Sequence, residues 1–458
     1  MFFPLFTGNG GPPGPAVFNR RGKPGAAAAS GLFALLCVLF VSCATVDPYV
    51  PVDQLVENEN FAGGAAALES ESKSIYRAKD RVLYCLDKGM LNHYAKDWGA
   101  SSSLLQEGEK AIEANYAVSI HQEFETFLLN DRSREYDGED YEDIYLNVFN
   151  ALNYYHRGSM DEALVEIRRM NNKIKNLSVK YGVINTRLQQ AALGNNTQVP
   201  ANPDSPVKFN DSALARYMGM LFYRGAGMYD DARIDQRQLK VAMADAPSIY
   251  YNKAPASADA ELAIPQGMAR LNVLGFTGRA PIKTEEVIRV PLGVNWIKIA
   301  LPVMTPRPSA IVSVEAALDS GEKFTLELLE DISAVVSETF IQRKNVIYAK
   351  SIIRASVKGT AAAVFTALGE SDSDNAGIFA LLGIAGQAFA EGSEKADLRV
   401  SHYFPGKAYV GGINVKPGTY SFTVTFRDAN NQVIATQRHE GVTVNAGRLN
   451  LTEAVCLR

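Results

Sequence analysis

The chain has 458 residues, a formal net charge of −4 and 21% charged residues, with no basic stripe. That balance argues against nucleic acid as a partner, because a phosphate backbone selects clustered Lys and Arg. With 47% apolar residues the chain can bury two or three cores, and its four cysteines are too few for a disulfide framework.

At the N-terminus Arg20, Arg21 and Lys23 precede an apolar run, Ala26 to Val41, that closes on Ser42-Cys43. Positive flank, short apolar stretch, small residue and cysteine together make a bacterial lipoprotein signal over residues 1–42. Cleavage before Cys43 would leave a thiol to carry diacylglycerol and an amine to carry a further acyl chain such as palmitate, enough lipid for stable membrane anchoring. An uncleaved anchor is the competing reading, although about 16 apolar residues are at or below what spans a bilayer. Ala44 follows Cys43 in place of an inner-membrane-retaining Asp, so the expected address is the cell envelope, at the outer membrane facing the periplasm or surface. Cys37 leaves with the signal, and Cys85 and Cys456 remain as either a bridge or two buried thiols.

Residues 43–74 read as a tether or a small first helix, with Pro48, Pro51 and Gly63-Gly64. Apolar residues at helical spacing dominate from 75 to 247: Ile75 to Tyr94, Leu104 to Leu129, Tyr141 to Tyr155, Ala163 to Ile174 and Leu214 to Tyr223. A small pattern returns three times in this half. Its clearest copy is Ala151 to Ile167, with Tyr154, Gly158 at the turn and Ala163, and its relatives run from Gly89 to Ser101 and from Met220 to Ala232. Small residues (Ser101, Ala163, Ala232) would let paired helices approach, with Tyr154 and Tyr223 filling the groove. The spacing resembles tetratricopeptide repeats, but the copies stand about 60 to 70 residues apart, against about 34 in the standard repeat. The proline-bearing stretch Leu193 to Phe209 reads as an irregular insertion.

From 248 to 396 the pattern mixes strands and helices. Strands are expected at Leu271–Phe276, Glu286–Val290, Trp296–Leu301, Ile311–Ala316 and Phe324–Leu328, then helices at 331–340 and 345–368 and a buried apolar helix at 376–389. Residues 397–458 alternate as strands around turns at Pro417-Gly418 and Asp428–Asn431, predicting a small antiparallel sheet. The expected fold class is α+β, with TPR-like α-helical hairpins, a mixed region and a small C-terminal antiparallel β-sheet.

Chemistry-bearing motifs are sparse. His121 and Glu125 share a helical face at ligand spacing, but no third ligand is evident, so no metal and no cofactor is expected. The acidic run Asp137 to Asp143 lacks the alternating oxygens of a calcium loop and suits a helix N-terminus, where carboxylates meet free N–H groups. Nucleophile elbow, phosphate loop and carboxylate pair are all missing, so no catalytic residue is expected and the chain reads as a non-enzyme. Tyr94, Trp98, Tyr154 and Tyr229 are candidate protein-binding aromatics, with core packing as the competing reading.

Several segments together resemble a family of bacterial tetratricopeptide-like lipoproteins: Leu86 to Met90, Asn130 to Glu142, Ala151 to Tyr154 with Asp161 to Arg169, Val290 to Leu292, Leu328 to Asp331, and Ala396 to Arg399 with Pro405 and Val415 to Gly418. The resemblance implies an envelope lipoprotein without catalysis, near cell-wall synthesis; Leu398 and Val400 to Tyr403 depart from the family's more polar stretch. The expectation is a membrane-anchored scaffold that binds an envelope protein through its helices. The alternative is a structural lipoprotein that contacts peptidoglycan or polysaccharide through the C-terminal sheet.

Overall fold

The computed structural model describes residues 47–121, 133–194, 208–292, 295–357 and 395–458. The expected lipoprotein signal with Cys43, residue Glu125, most of the expected insertion after Leu193 and the apolar stretch 376–389 lie outside the described residues. Within them the architecture is mixed α/β.

The stretch expected as a tether holds three helices, α1 (Val50–Glu57), α2 (Phe61–Ser70) and α3 (Ser72–Ile75). Pro51 sits in the first turn of α1, where a missing N–H costs nothing. Asn60 caps α2 by accepting from the Gly63 N–H at 3.0 Å. Three helical hairpins follow: α4 (Arg81–Tyr94) with α5 (Trp98–His121), α6 (Asp140–His156) with α7 (Met160–Gly194), and α8 (Ala213–Gly225) with α9 (Tyr229–Asp245). The second and third turn through Gly158 and Gly227, at φ +80° and +78°, a left-handed conformation that costs any other residue a Cβ clash. Ser101, Ala163 and Ala232, the small residues singled out in the sequence, are fully buried. The acidic run opens α6: Glu139 and Glu142 form a reciprocal capping box.

After the short α10 (Ala256–Ala260) the described residues lay down nine strands: β1 (Ala269–Arg279), β2 (Ile282–Leu292), β3 (Asn295–Thr305), β4 (Ser313–Leu318), β5 (Lys323–Asp331), β6 (Pro405–Val415), β7 (Gly418–Arg427), β8 (Val433–Val444) and β9 (Asn450–Cys456). One helix, α11 (Ile332–Val357), stands where two were expected, because the polar residues Gln342 to Asn345 continue the helix instead of interrupting it. The C-terminal strands do not make a small sheet of their own. They join β1, β4 and β5 in a curled seven-stranded sheet of order β8-β7-β4-β5-β6-β1-β9, and the small antiparallel sheet is the β2–β3 hairpin. The pairing that sequence pattern could not supply is β9 lying parallel to β1, Leu271 opposite Asn450.

The two-residue period of β1 explains the layering. Leu271 and Val273 point into a core enclosed by the curled sheet, with Val314, Leu326, Phe422 and Phe426. Leu274 and Phe276 point the other way, into a core shared with the helices. Gly275, on β1, faces the side chains of β5 and β4 inside the curl, where a Cβ would stand 3.1 Å from the Leu326 side chain. Each fully buried Phe or Leu contributes roughly 1.5–3 kcal/mol, so one face of β1 fastens the sheet to the helices and the other closes the sheet's own core.

Candidate functional site

Two places on the helical layer meet the C-terminal third of the chain, and they differ in kind. The first is filled. Residues 395–404, in neither helix nor strand, run against α4 and α6. Asp87 on α4 accepts from the Ser401 hydroxyl at 2.6 Å and the His402 N–H at 2.7 Å through one oxygen, and from Tyr76 at 2.7 Å and Tyr49 at 3.2 Å through the other. Glu142 on α6 accepts from the Ser401 N–H at 2.5 Å, and Tyr94 donates to the Tyr403 carbonyl at 3.0 Å. Arg399 bridges Asp397 at 2.7 Å and Asp80 at 3.1 Å. Burial pushes the Asp87 carboxyl up to about 6, and burial together with the neighbouring Glu139 pushes Glu142 up to about 7. The His402 ring stacks on Tyr49 with centroids 3.7 Å apart, and burial followed by Arg307 and Arg279 lowers it to about 3, keeping it neutral.

The second place is open. Between the start of α5, the end of α6 and strands β8 and β9 lies a cleft of about 630 Å³, with Trp98, His156, His439, Gln437 and Glu453 on its walls and Tyr94 on its floor. Its centre is a hydrogen-bonded chain whose protons follow from geometry. The Ser101 hydroxyl gives its one proton to the Gly89 carbonyl at 2.8 Å, so it accepts from the Asn153 amide nitrogen, also 2.8 Å away. The Asn153 oxygen therefore faces His93 Nδ1 at 2.8 Å, and Nδ1 carries a proton. On the other side His93 Nε2 stands 2.9 Å from Glu453 Oε2, and His156 Nε2 stands 2.6 Å from Glu453 Oε1.

Burial alone would lower the His93 pKa; the facing Glu453 carboxylate overrides it and raises it. Burial would likewise raise Glu453, and His93 and His156 hold it well below the usual carboxylate range instead. Each shift favours the charged form of its group, and the two are hydrogen-bonded at every polar end, the condition under which a buried ion pair is tolerated. Trp98 stacks on His156 at 4.5 Å. Nearby, His439 stacks on Phe422 at 4.8 Å, its Nε2 has no partner, and burial followed by Lys96 lowers it to about 4.

Charges around the cleft balance. Lys96, Arg438 and His93 face Glu59, Glu440 and Glu453, and Arg438 is tied to Asp319 at 2.6 Å through each terminal nitrogen. The arrangement can accept polar, uncharged groups. It presents no activated nucleophile: Cys85 is buried with its thiol pushed up to about 12 by burial, and Cys456 is buried as well, both as free thiols.

The candidate aromatics of the sequence separate. Tyr94 and Trp98 come together at the cleft, Tyr94 buried with its hydroxyl committed and Trp98 half-buried at the rim. Tyr154 is half-buried beside α5, where Gln106 donates to its hydroxyl, and Tyr229 is 47% exposed at the start of α9, apart from the cleft. Cys43 lies outside the described residues. Sequence reading missed His93, His156, Gln437, His439 and Glu453, because nothing local marks them; Glu453 meets a histidine 360 residues away.

No protein-family model, no curated protein and no solved structure matches the chain.

Proposed function

We propose that the chain is a lipoprotein of the cell envelope, tethered to a membrane through Cys43, most simply the outer membrane, and that it binds and positions another envelope protein without chemistry of its own. Its paired helices act in the manner of tetratricopeptide hairpins, with the C-terminal strands completing the binding surface. The observation that carries this reading is the contrast between the two places on the helical layer. The groove over α4 and α6 already holds a polypeptide segment, residues 395–404, by its backbone N–H groups, and the open cleft beside it carries the same kinds of polar and aromatic groups.

A second reading, contact with peptidoglycan or another polysaccharide through the C-terminal strands, draws on the flat indole of Trp98 at the cleft rim. A photo-crosslinking residue at Thr436, on the cleft wall, separates the two in intact cells, with the same probe at the outward-facing Val179 as control. The expected result is a protein adduct from Thr436 alone, formed only when Cys43 is intact and detergent partitioning reports a lipidated chain. A glycan adduct, or equal capture from both positions, would overturn the protein-binding reading. Capture that survives Cys43→Ala unchanged would overturn the tether.

A further inference from the structure

The cleft coincides with a break in the sheet. The seven-stranded sheet curls until its two edge strands, β8 and β9, lie alongside each other, yet they are not paired. Following the pairings round the sheet, β9 is parallel to β1 and β8 antiparallel to it, so the two edges face each other antiparallel. A bulge in β8 holds them apart: between the pairs Tyr420–Val442 and Phe422–His439 it carries one residue more than β7, with Gly441 at φ +64°. Such bulges bend an edge strand and end its pairing.

What crosses the seam is a side chain standing in for a backbone. The Gln437 amide on β8 accepts from the Val455 N–H at 2.9 Å and donates to the Val455 carbonyl at 2.5 Å. Both bonds to one residue are what a peptide group supplies in a β-ladder. Four residues back along β9, the next but one outward-facing position is also occupied, since the Leu451 N–H donates to the Tyr155 hydroxyl at 2.8 Å. By the two-residue period of a strand, Glu453 turns its N–H and C=O the same way as Leu451 and Val455. Among the described residues no group pairs with them. They open into the cleft, with Trp98 and His156 on the helical side and the unpartnered His439 Nε2 across from them.

We propose that this seam is a strand-addition site, in which an extended segment of a partner protein lies between β8 and β9 and pairs its backbone with Glu453, continuing the line begun by the Gln437 amide. The proposal rests on the protein-binding reading above and names the form of the partner. Backbone pairing supplies the affinity in this mode, and side-chain pockets at alternate residues supply the choice of sequence. The balanced charge of the cleft selects an uncharged segment, with an apolar or aromatic side chain toward Trp98.

The test uses the full-length chain in detergent and nonapeptides selected against it from a random pool. The best binder is resynthesised in two versions, each N-methylated at every second residue so that side chains are kept and one set of backbone donors is removed. At least tenfold weaker binding is expected from one version, and at least tenfold from Thr436→Trp, an exposed cleft-wall position whose change spares the core. If neither methylated peptide is weakened, strand addition is wrong, and protein adducts from Thr436 in cells would show that the protein-binding reading still stands. If no peptide is selected and a soluble tetramer of N-acetylglucosamine binds instead, both fail together.

Discussion

The groove over α4 and α6 and the seam between β8 and β9 pose the same physical problem with opposite outcomes. In each, polypeptide N–H and C=O groups lie against the helical layer; in the buried groove an unmade hydrogen bond costs about 1–3 kcal/mol, whereas in the open seam water can take it. In the groove, Asp87 and Glu142 meet the backbone N–H groups of Ser401 and His402, and the segment is fixed. In the seam the Gln437 amide meets Val455 and the Tyr155 hydroxyl meets Leu451, while the backbone of Glu453 between them stays open. Buried carboxyl acceptors fix a segment in place; a neutral amide at a strand edge leaves a position that another strand can take.

The sharpest way to break the contrast is to unfasten the groove. Asp87→Ala removes the acceptor of four donors at once, and unfolding in urea should show a loss of about 4 kcal/mol. A loss under 1 kcal/mol would mean that water replaces the carboxylate and that residues 395–404 are held by packing alone. Next in size is the lock beside the seam. Glu453→Gln leaves His93 without its counter-charge, for an expected loss of about 3 kcal/mol near pH 6. His93 is raised, so its share of the stabilisation is complete below its ordinary value of 6.5 and disappears as pH rises through its higher folded value. Glu453 is lowered, so its share is complete above its ordinary value of 4.5 and disappears as pH falls through its lower folded value. The difference in stability between the native chain and Glu453→Gln should therefore be greatest between those two values and shrink on the alkaline side; a difference flat from pH 5 to 9 would show that the pair is not ionised. The smallest effect belongs to the seam itself. Gln437→Ala should cost about 1 kcal/mol, since the edge it leaves can be hydrated, and should bind a selected peptide at least as tightly as before. Weaker peptide binding would make the amide part of the site instead of a substitute for its occupant.

How far each region could be read in advance follows from the range of its contacts. The hairpin turns at Gly158 and Gly227 and the capping box at Glu139 and Glu142 are made by residues a few places apart, and their sequence pattern announced them. Strands β6, β7 and β8 were legible for the same reason, through alternation and their turns. The seven-stranded sheet was not, because β1 finds its neighbours in residues near 410 and 450, and no local period encodes a partner. β9 escaped notice since Asn450 to Cys456 alternates between two buried faces and so shows no polar side. The cleft suffered most: Trp98 stood out as an aromatic, while Glu453 and Gln437, which define the site, look like any surface residue until β9 reaches β1.

That late partnership of β9 with β1 also sets an order of events. Asn450 donates to the Arg270 carbonyl across 180 residues, and Glu453 reaches His93 across 360. Contacts of such range form slowly, because the intervening loop must lose its freedom before any bond rewards it. Until β9 docks, one edge of β1 is bare and His93 has no counter-charge, so the helical layer can assemble while the sheet remains unfinished. The seam between β8 and β9 is thus expected to form after the helical layer, so that a chain presenting it has already brought α4 and β9 together.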